Sequence, residues 1–189
     1  MSGSPDRDAV RRSGRAARHA IVGAERVARE QSLVGHLGSL QALALPTIGV
    51  FVAHDGEPDL TPLVQKLWQR GQDIALPALE DDPADHTMHF RKWSSDVELE
   101  SGRYGIAVPP LADSSVVRPD CVLVSLAAFD AMGNRMGRGG GFFDRYLAGA
   151  HCQIVGVGFE PQRVARVPTE KHDVIMPILV TDLGVRFLS

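Results

Sequence analysis

Asp120-Cys-Val-Leu-Val-Ser-Leu-Ala-Ala-Phe129 and, just beyond it, Gly133-Asn-Arg-Met-Gly-Arg-Gly-Gly-Gly-Phe-Phe-Asp-Arg-Tyr146 decide the fold. The first stretch is an almost unbroken apolar run, the pattern of a strand covered on both faces of a sheet. The second is rich in glycine, and from about Phe142 to Ala148 it turns into a short helix. A strand that enters a glycine loop and leaves as a helix places a ligand at the C-terminal edge of a parallel sheet.

The same alternation continues outward. Upstream, residues Thr47 to Ala53 form a short β-rich run between Pro46 and His54-Asp-Gly56. Leu60, Leu63, Val64 and Leu67 recur at i, i+3, i+4 and i+7, so Leu60 to Arg70 reads as a helix with Gly71 closing it. Asp73 to Pro77 reads as the next strand. Downstream, Gln153 to Phe159 is another buried strand, and Ile178–Thr181 and Val185–Leu188 are short ones. Residues 80–119 are irregular, with room for strand pairs around His89 to Trp93 and a turn near Gly105. Residues 6–42 carry no strand signal. Val10, Ala17 and Ile21 mark one helix, and a second runs from about Glu25 to Leu40. The expectation is an α/β fold: a three-layer α/β/α arrangement on a mainly parallel sheet, preceded by an N-terminal helical pair. One domain spans 1–189, with a helical segment at 1–42 and the α/β core at 46–189.

The 189 residues, 44% hydrophobic and 23% charged, can bury a core without staples. A net charge of −3 argues against bulk nucleic-acid binding. The exception is local: Arg7, Arg11, Arg12, Arg15, Arg18, Arg26 and Arg29 crowd the N-terminus. That composition suits a transit peptide, but Asp6, Asp8 and the helical pattern favour a structural role. There is no membrane-length apolar stretch, and the expected compartment is the cytoplasm. Cys121 and Cys152 sit in apolar runs and read as buried thiols. His54, His86, His89 and His172 show no metal-ligand spacing and read as ordinary surface or loop histidines.

The loop carries the chemistry. Consecutive glycines let backbone N–H groups approach an anion, and the following helix N-terminus favours negative charge. Arg135 and Arg138 add charge-assisted hydrogen bonds to phosphate oxygens. Asp144 can hold a Mg²⁺ that bridges phosphates. No Gly-Lys-Ser/Thr is present, so this is not a Walker A loop, and Gly137-x-Gly139 lacks the third glycine of a dinucleotide fingerprint. A turn-rich surface loop is the plain alternative, but it gives no reason for arginines and a carboxylate among the glycines.

Arg135-Met-Gly-Arg-Gly-Gly-Gly-Phe-Phe-Asp-Arg-Tyr-Leu147 resembles the signature of the 5-formyltetrahydrofolate cyclo-ligases, R-L-G-R-G-x-G-Y-Y-D-x-[YF]-L. The lead-in Ala128-Phe-Asp and the later Lys171-His-Asp-Val174 and Val180-Thr-Asp182 are similar to that family as well. The resemblance implies ATP-dependent cyclisation of 5-formyltetrahydrofolate to 5,10-methenyltetrahydrofolate, with release of ADP and phosphate. It implies an ATP site formed by Arg7, Arg11, Arg135, Gly137, Arg138, Gly139, Gly140, Gly141, Phe142 and Phe143, with Arg135 and Arg138 as the catalytic pair. Arg7 and Arg11, spaced i, i+4, share one helix face, which is also what a solvated basic face would show. The implied Mg²⁺ ligands are Asp144 and Asp173, and Asp173 taken alone reads as a turn or cap residue. The implied folate site takes Val52, Glu57, Phe142 and Phe143. Asp59 reads instead as a cap of the following helix.

Departures from the pattern gather on the folate side. Phe142-Phe143 replaces a common Tyr-Tyr, Val108 stands where a glutamate is frequent, Ser125 where proline is, and Pro177 where aspartate is. They leave room for a divergent paralogue that binds nucleotide or folate with another substrate or without turnover. A phosphosugar isomerase or acyl-transfer enzyme on a related sheet would need no ATP. The partners expected are ATP and a reduced folate, with no nucleic acid and no membrane, and the chain is expected to be a monomer or homodimer.

Overall fold

The computed structural model describes residues 6–80, 82 and 84–188. Residues 1–5, 81, 83 and 189, which the one-domain expectation takes in, lie outside the described residues. Two helices come first, α1 (Arg7–His19) and α2 (Gly23–Gly38). Then β1 (Thr47–Gly49), α3 (Thr61–Gln69), β2 (Asp73–Leu79) and β3 (Met88–Trp93) follow in order. Next come β4 (Glu100–Ser101), β5 (Ala107–Val108), β6 (Val116–Val117), β7 (Cys121–Ser125), β8 (Ala128–Phe129) and β9 (Arg135–Met136). The chain continues with α4 (Phe142–Ala148), β10 (Gln153–Val157), β11 (Ile178–Thr181) and β12 (Gly184–Phe187).

Eight of these strands form one sheet in the order β12-β11-β10-β7-β1-β2-β3-β6. The centre is parallel, with β1 beside β2 and β7, and β10 beside β7 and β11. Only the edges are antiparallel, at β12, β3 and β6. The α/β expectation and its mainly parallel sheet hold.

The run at Cys121 shows why the sheet is covered on both sides. Successive side chains of a strand point to opposite faces. Cys121 and Leu123 pack with Leu33 and Leu37 of α2 and Leu63 and Leu67 of α3. Val122 and Val124 pack with Leu147 of α4 and with Phe90 and Phe129. Each fully buried Leu, Val or Phe contributes roughly 1.5–3 kcal/mol of transfer free energy, so Cys121 to Val124 anchor the two layers in turn.

The element boundaries differ from the expectation where tertiary contacts intervene. The strand from Asp120 to Phe129 stops at Ser125. The Gln162 side chain takes over the Leu126 and Ala127 carbonyls, donating to them at 2.5 and 3.0 Å. The chain then pairs again as β8 with β9, in a separate ribbon. The strand from Thr47 ends at Gly49, although the Val50 amide still donates to Ala75 O at 2.9 Å. The helix expected from Glu25 starts at Gly23 and ends at Gly38. Gly71, at φ +77°, ends α3 as its composition suggested. Asp59 caps from just outside: its Oδ1 accepts the Thr61 amide at 2.9 Å, while Leu60 holds the backbone cap position.

Candidate active site

The C-terminal ends of β1, β2 and β7 open into a cavity of about 300 Å³. α1 crosses this edge of the sheet. It passes so close to the chain leaving β7 that a Cβ on Gly14 would stand 2.1 Å from the Ala127 carbonyl oxygen. That contact fixes where the arginines of α1 reach.

The β8–β9 turn delivers the glycine loop. Asp130 is 2% exposed. It accepts the amides of Met132 and Asn134 at 2.9 and 3.1 Å and, from a distant loop, that of Val167 at 3.0 Å. An aspartate that gathers amides two and four residues on is a compact turn builder. Gly133 takes φ +84° there, with Met176 O 2.6 Å from where a Cβ would be. The turn sends Arg135 inward. Arg135 is 5% exposed, and its Nη2 donates to Asp144 Oδ1 at 2.7 Å. Burial pulls its pKa down against the charges of Asp144 and Asp173.

Beyond it the loop is held from behind by its carbonyls. Arg11 Nε donates to Gly137 O at 2.9 Å, and Arg145 Nη2 to Gly140 O at 2.5 Å. Gly139 and Gly141 take φ +104° and +65°, conformations that a side chain would strain. The amides of Gly139, Gly140 and Gly141 donate no hydrogen bond among the described residues. The loop therefore carries, at the start of α4, three amides without an acceptor among the described residues, on residues that line the cavity.

The carboxylates around the loop are all paired with arginine. Arg7 grips Asp173 with two hydrogen bonds of 2.7 and 3.2 Å, and the Glu170 amide donates to the same carboxylate at 2.7 Å. Burial works to raise the Asp173 pKa. The Arg7 hydrogen bonds and the Glu170 amide outweigh it and hold the group below the usual carboxylate value. Asp144 accepts Arg135 and the Val174 amide through Oδ1. Glu57, 4% exposed, accepts Ser125 Oγ at 2.5 Å and the His54 amide at 3.2 Å, with Arg138 Nη2 at 3.3 Å. Among the described residues no three His, Cys, Asp or Glu side chains group as a metal site.

All the residues singled out from the sequence line this one cavity: Arg7, Arg11, Val52, Glu57, Arg135, Gly137, Arg138, Gly139, Gly140, Gly141, Phe142, Phe143, Asp144 and Asp173. The sequence profile of the 5-formyltetrahydrofolate cyclo-ligase family matches residues 3–182.

The chain belongs to the 5-formyltetrahydrofolate cyclo-ligase family.

Among its relatives, the Escherichia coli K12 5-formyltetrahydrofolate cyclo-ligase is 36% identical over 141 residues, covering 71% of this chain and 77% of that protein. The Haemophilus influenzae protein of the same name is 33% identical over 159 residues, covering 80% and 84%. The solution structure of Aquifex aeolicus 5,10-methenyltetrahydrofolate synthetase is similar, with a TM-score of 0.82 at 26% identity over 96% of this chain and 92% of that one. The Mycoplasma pneumoniae 5,10-methenyltetrahydrofolate synthetase, at 19% identity, shares the fold with a TM-score of 0.76 over 94% and 99%. By membership this cyclo-ligase-family chain is a ligase of folate one-carbon metabolism.

Several neighbours of the cavity escaped sequence reasoning. His54 and His172 line it, although both read as ordinary histidines, and Ile106 and Ala107 reach it from the irregular segment. Ser125, noted only as a departure, is the hydroxyl that binds Glu57. Arg18 is 1% exposed behind Glu57. Its spacing of seven from Arg11 extends the arginine face of α1 by two turns, and that signal was present in the sequence.

Proposed function

We propose that this chain uses ATP to close 5-formyltetrahydrofolate into 5,10-methenyltetrahydrofolate, releasing ADP and phosphate. The observation that carries the proposal is the row of unpaired glycine amides beside Arg7, Arg11 and Arg138, in one cavity with a buried glutamate. A polyphosphate suits the first set, and the N–H edge of a pterin suits the second.

The chemical obstacle is a formamide carbonyl, a poor electrophile whose oxygen is a hopeless leaving group. Transfer of the γ-phosphoryl to the formyl oxygen breaks the bond to ADP and makes that oxygen a phosphate ester. N10 of the same folate then attacks the carbon, loses its proton, and phosphate departs. No protein nucleophile is needed, so catalysis rests on positioning and charge neutralisation. Gly139 to Gly141 cradle the phosphates, Arg138 follows the transferring group, and Arg7 and Arg11 close from α1. Arg135 acts from beneath, holding Asp144 in place. Glu57, with Val52, Phe142 and Phe143 nearby, receives the folate.

The donor set fits a magnesium ion that arrives with ATP. Mg²⁺ prefers one or two carboxylates plus phosphate oxygens to an all-protein cage. Asp144 keeps Oδ2 unengaged among the described residues, and Asp173 would be the second carboxylate to hold the ion if Arg7 released it. When bound, the ion supplies neutralisation of charge on the phosphates. We take the chain as one cyclo-ligase unit, monomeric or homodimeric, with ATP and a reduced folate as partners and neither nucleic acid nor membrane. The two unpaired thiols suit a cytoplasmic setting. Appearance of the near-ultraviolet absorbance of the methenyl product only when ATP is present tests the reading. Absence of that product with ATP, Mg²⁺ and substrate all supplied overturns it.

A further inference from the structure

The largest fully buried side chain belongs to an arginine. Arg18 lies 1% exposed on α1, with Nη2 donating to Asp55 Oδ2 at 2.7 Å and Nη1 3.9 Å from Glu57 Oε1. Its Nε has no partner among the described residues. A buried cation is tolerated only where acidic neighbours compensate it, and here both neighbours belong to the loop that carries Glu57. Asp55 is itself fixed by Arg15 at 2.8 Å and His19 at 2.9 Å. It sits at φ +54°, the left-handed turn conformation that aspartate tolerates better than most side chains.

Two cations therefore face Glu57, and they differ in freedom. Arg138 is 37% exposed and rides on the glycine loop, where it has room to turn to a bound phosphate. Arg18 is held by Asp55 and overlain by Gly56, where a Cβ would meet its Cγ at 3.6 Å. We propose that Arg18, anchored by Asp55, is the positioning residue that keeps Glu57 aimed at the folate once Arg138 has turned to the nucleotide. This rests on Glu57 receiving the pterin.

Steady-state kinetics of Arg18→Met, Arg18→Lys, Glu57→Gln and the Arg18→Met/Glu57→Gln double variant test it, each substrate being varied with the other saturating. Arg18→Met raises the KM for 5-formyltetrahydrofolate about tenfold or more, the scale of one lost charged partner. It leaves the KM for ATP within about twofold, Arg18→Lys restores most of the loss, and Arg18→Met adds little in the Glu57→Gln background. A selective folate defect in Glu57→Gln but none in Arg18→Met overturns the proposal alone, as does an Arg18→Met defect that is the same in both backgrounds. A normal folate KM in Glu57→Gln overturns the assignment of Glu57 and the proposal with it. Should Arg18→Met not fold, Asp55→Asn releases Arg18 while leaving it in place. A selective rise in folate KM supports the role, and an unchanged one overturns it.

Discussion

Arg138 stands between two possible partners, the buried Glu57 carboxylate and the phosphate of an arriving nucleotide. On the proposed role of Arg138 at the transferring group, Arg138→Ala removes one pre-placed charge and lowers kcat by about 10²-fold or more. Unchanged turnover in a stopped assay of methenyl product would falsify that role. Asp144→Asn keeps the shape and removes the charge, and a magnesium titration of activity then reaches half-maximum at a higher concentration. Asp55 supplies the pH test. Burial works to raise its pKa, but hydrogen bonds from Arg15 and His19 and the charge of Arg18 hold it at about 2. A carboxyl with a depressed folded pKa stabilises the fold fully above its ordinary value of 3.8 and loses that effect as pH falls through the folded value. The Tm gap between wild type and Asp55→Asn is therefore widest above about pH 5 and narrows between about pH 4 and pH 2.

At the scale of elements, Gly14 decides how α1 meets the sheet. Alanine favours a helix over glycine by up to about 1 kcal/mol, but overpacking a tight contact costs about 1–3 kcal/mol. With a carbonyl oxygen 2.1 Å from the new Cβ the second effect wins. Gly14→Ala lowers Tm and, by shifting Arg7 and Arg11, raises the KM for ATP. A calorimetric scan and an ATP titration read the two effects. The elements that the sequence reveals are those written by local patterning: the apolar strand at Cys121, the i, i+3, i+4 helix at Leu63, and the glycine loop with its arginines. The ones it conceals are set by distant groups. Nothing near Ser125 says that Gln162 will take the next two carbonyls and split the strand. Nothing near Arg18 says that Asp55, 37 residues later, will bury it. The carboxylates Asp144 and Asp173 were visible as candidates, but their arginine partners in the resting site were not.

Over the whole molecule, the cavity joins the ends of β1, β2 and β7 and the glycine loop to α1, so ligands that fill it tie the layers together. A ligand at one hundred times its Kd adds about 2.7 kcal/mol. For a protein of this size that is roughly 5–10 °C in Tm, and Mg·ATP with a folate should give such a rise in differential scanning fluorimetry. No rise with either ligand contradicts the site. Cys121, fully buried with its thiol pushed up to about 12 by burial, stays unreactive until the sheet opens. Its alkylation rate therefore reports global opening, and the same ligands slow it.

The Arg7–Asp173 grip spans 166 residues of chain. A ribosome adding about 5–20 residues per second makes the aspartate on the order of ten seconds or more after the arginine. Until then Arg7 lacks this partner, while Arg11 and Arg12 already have Asp8 and Asp6 close by in sequence. The pairing that ties α1 to this corner of the sheet therefore cannot form until the chain between its two halves has been made, so no early folding step can rest on it.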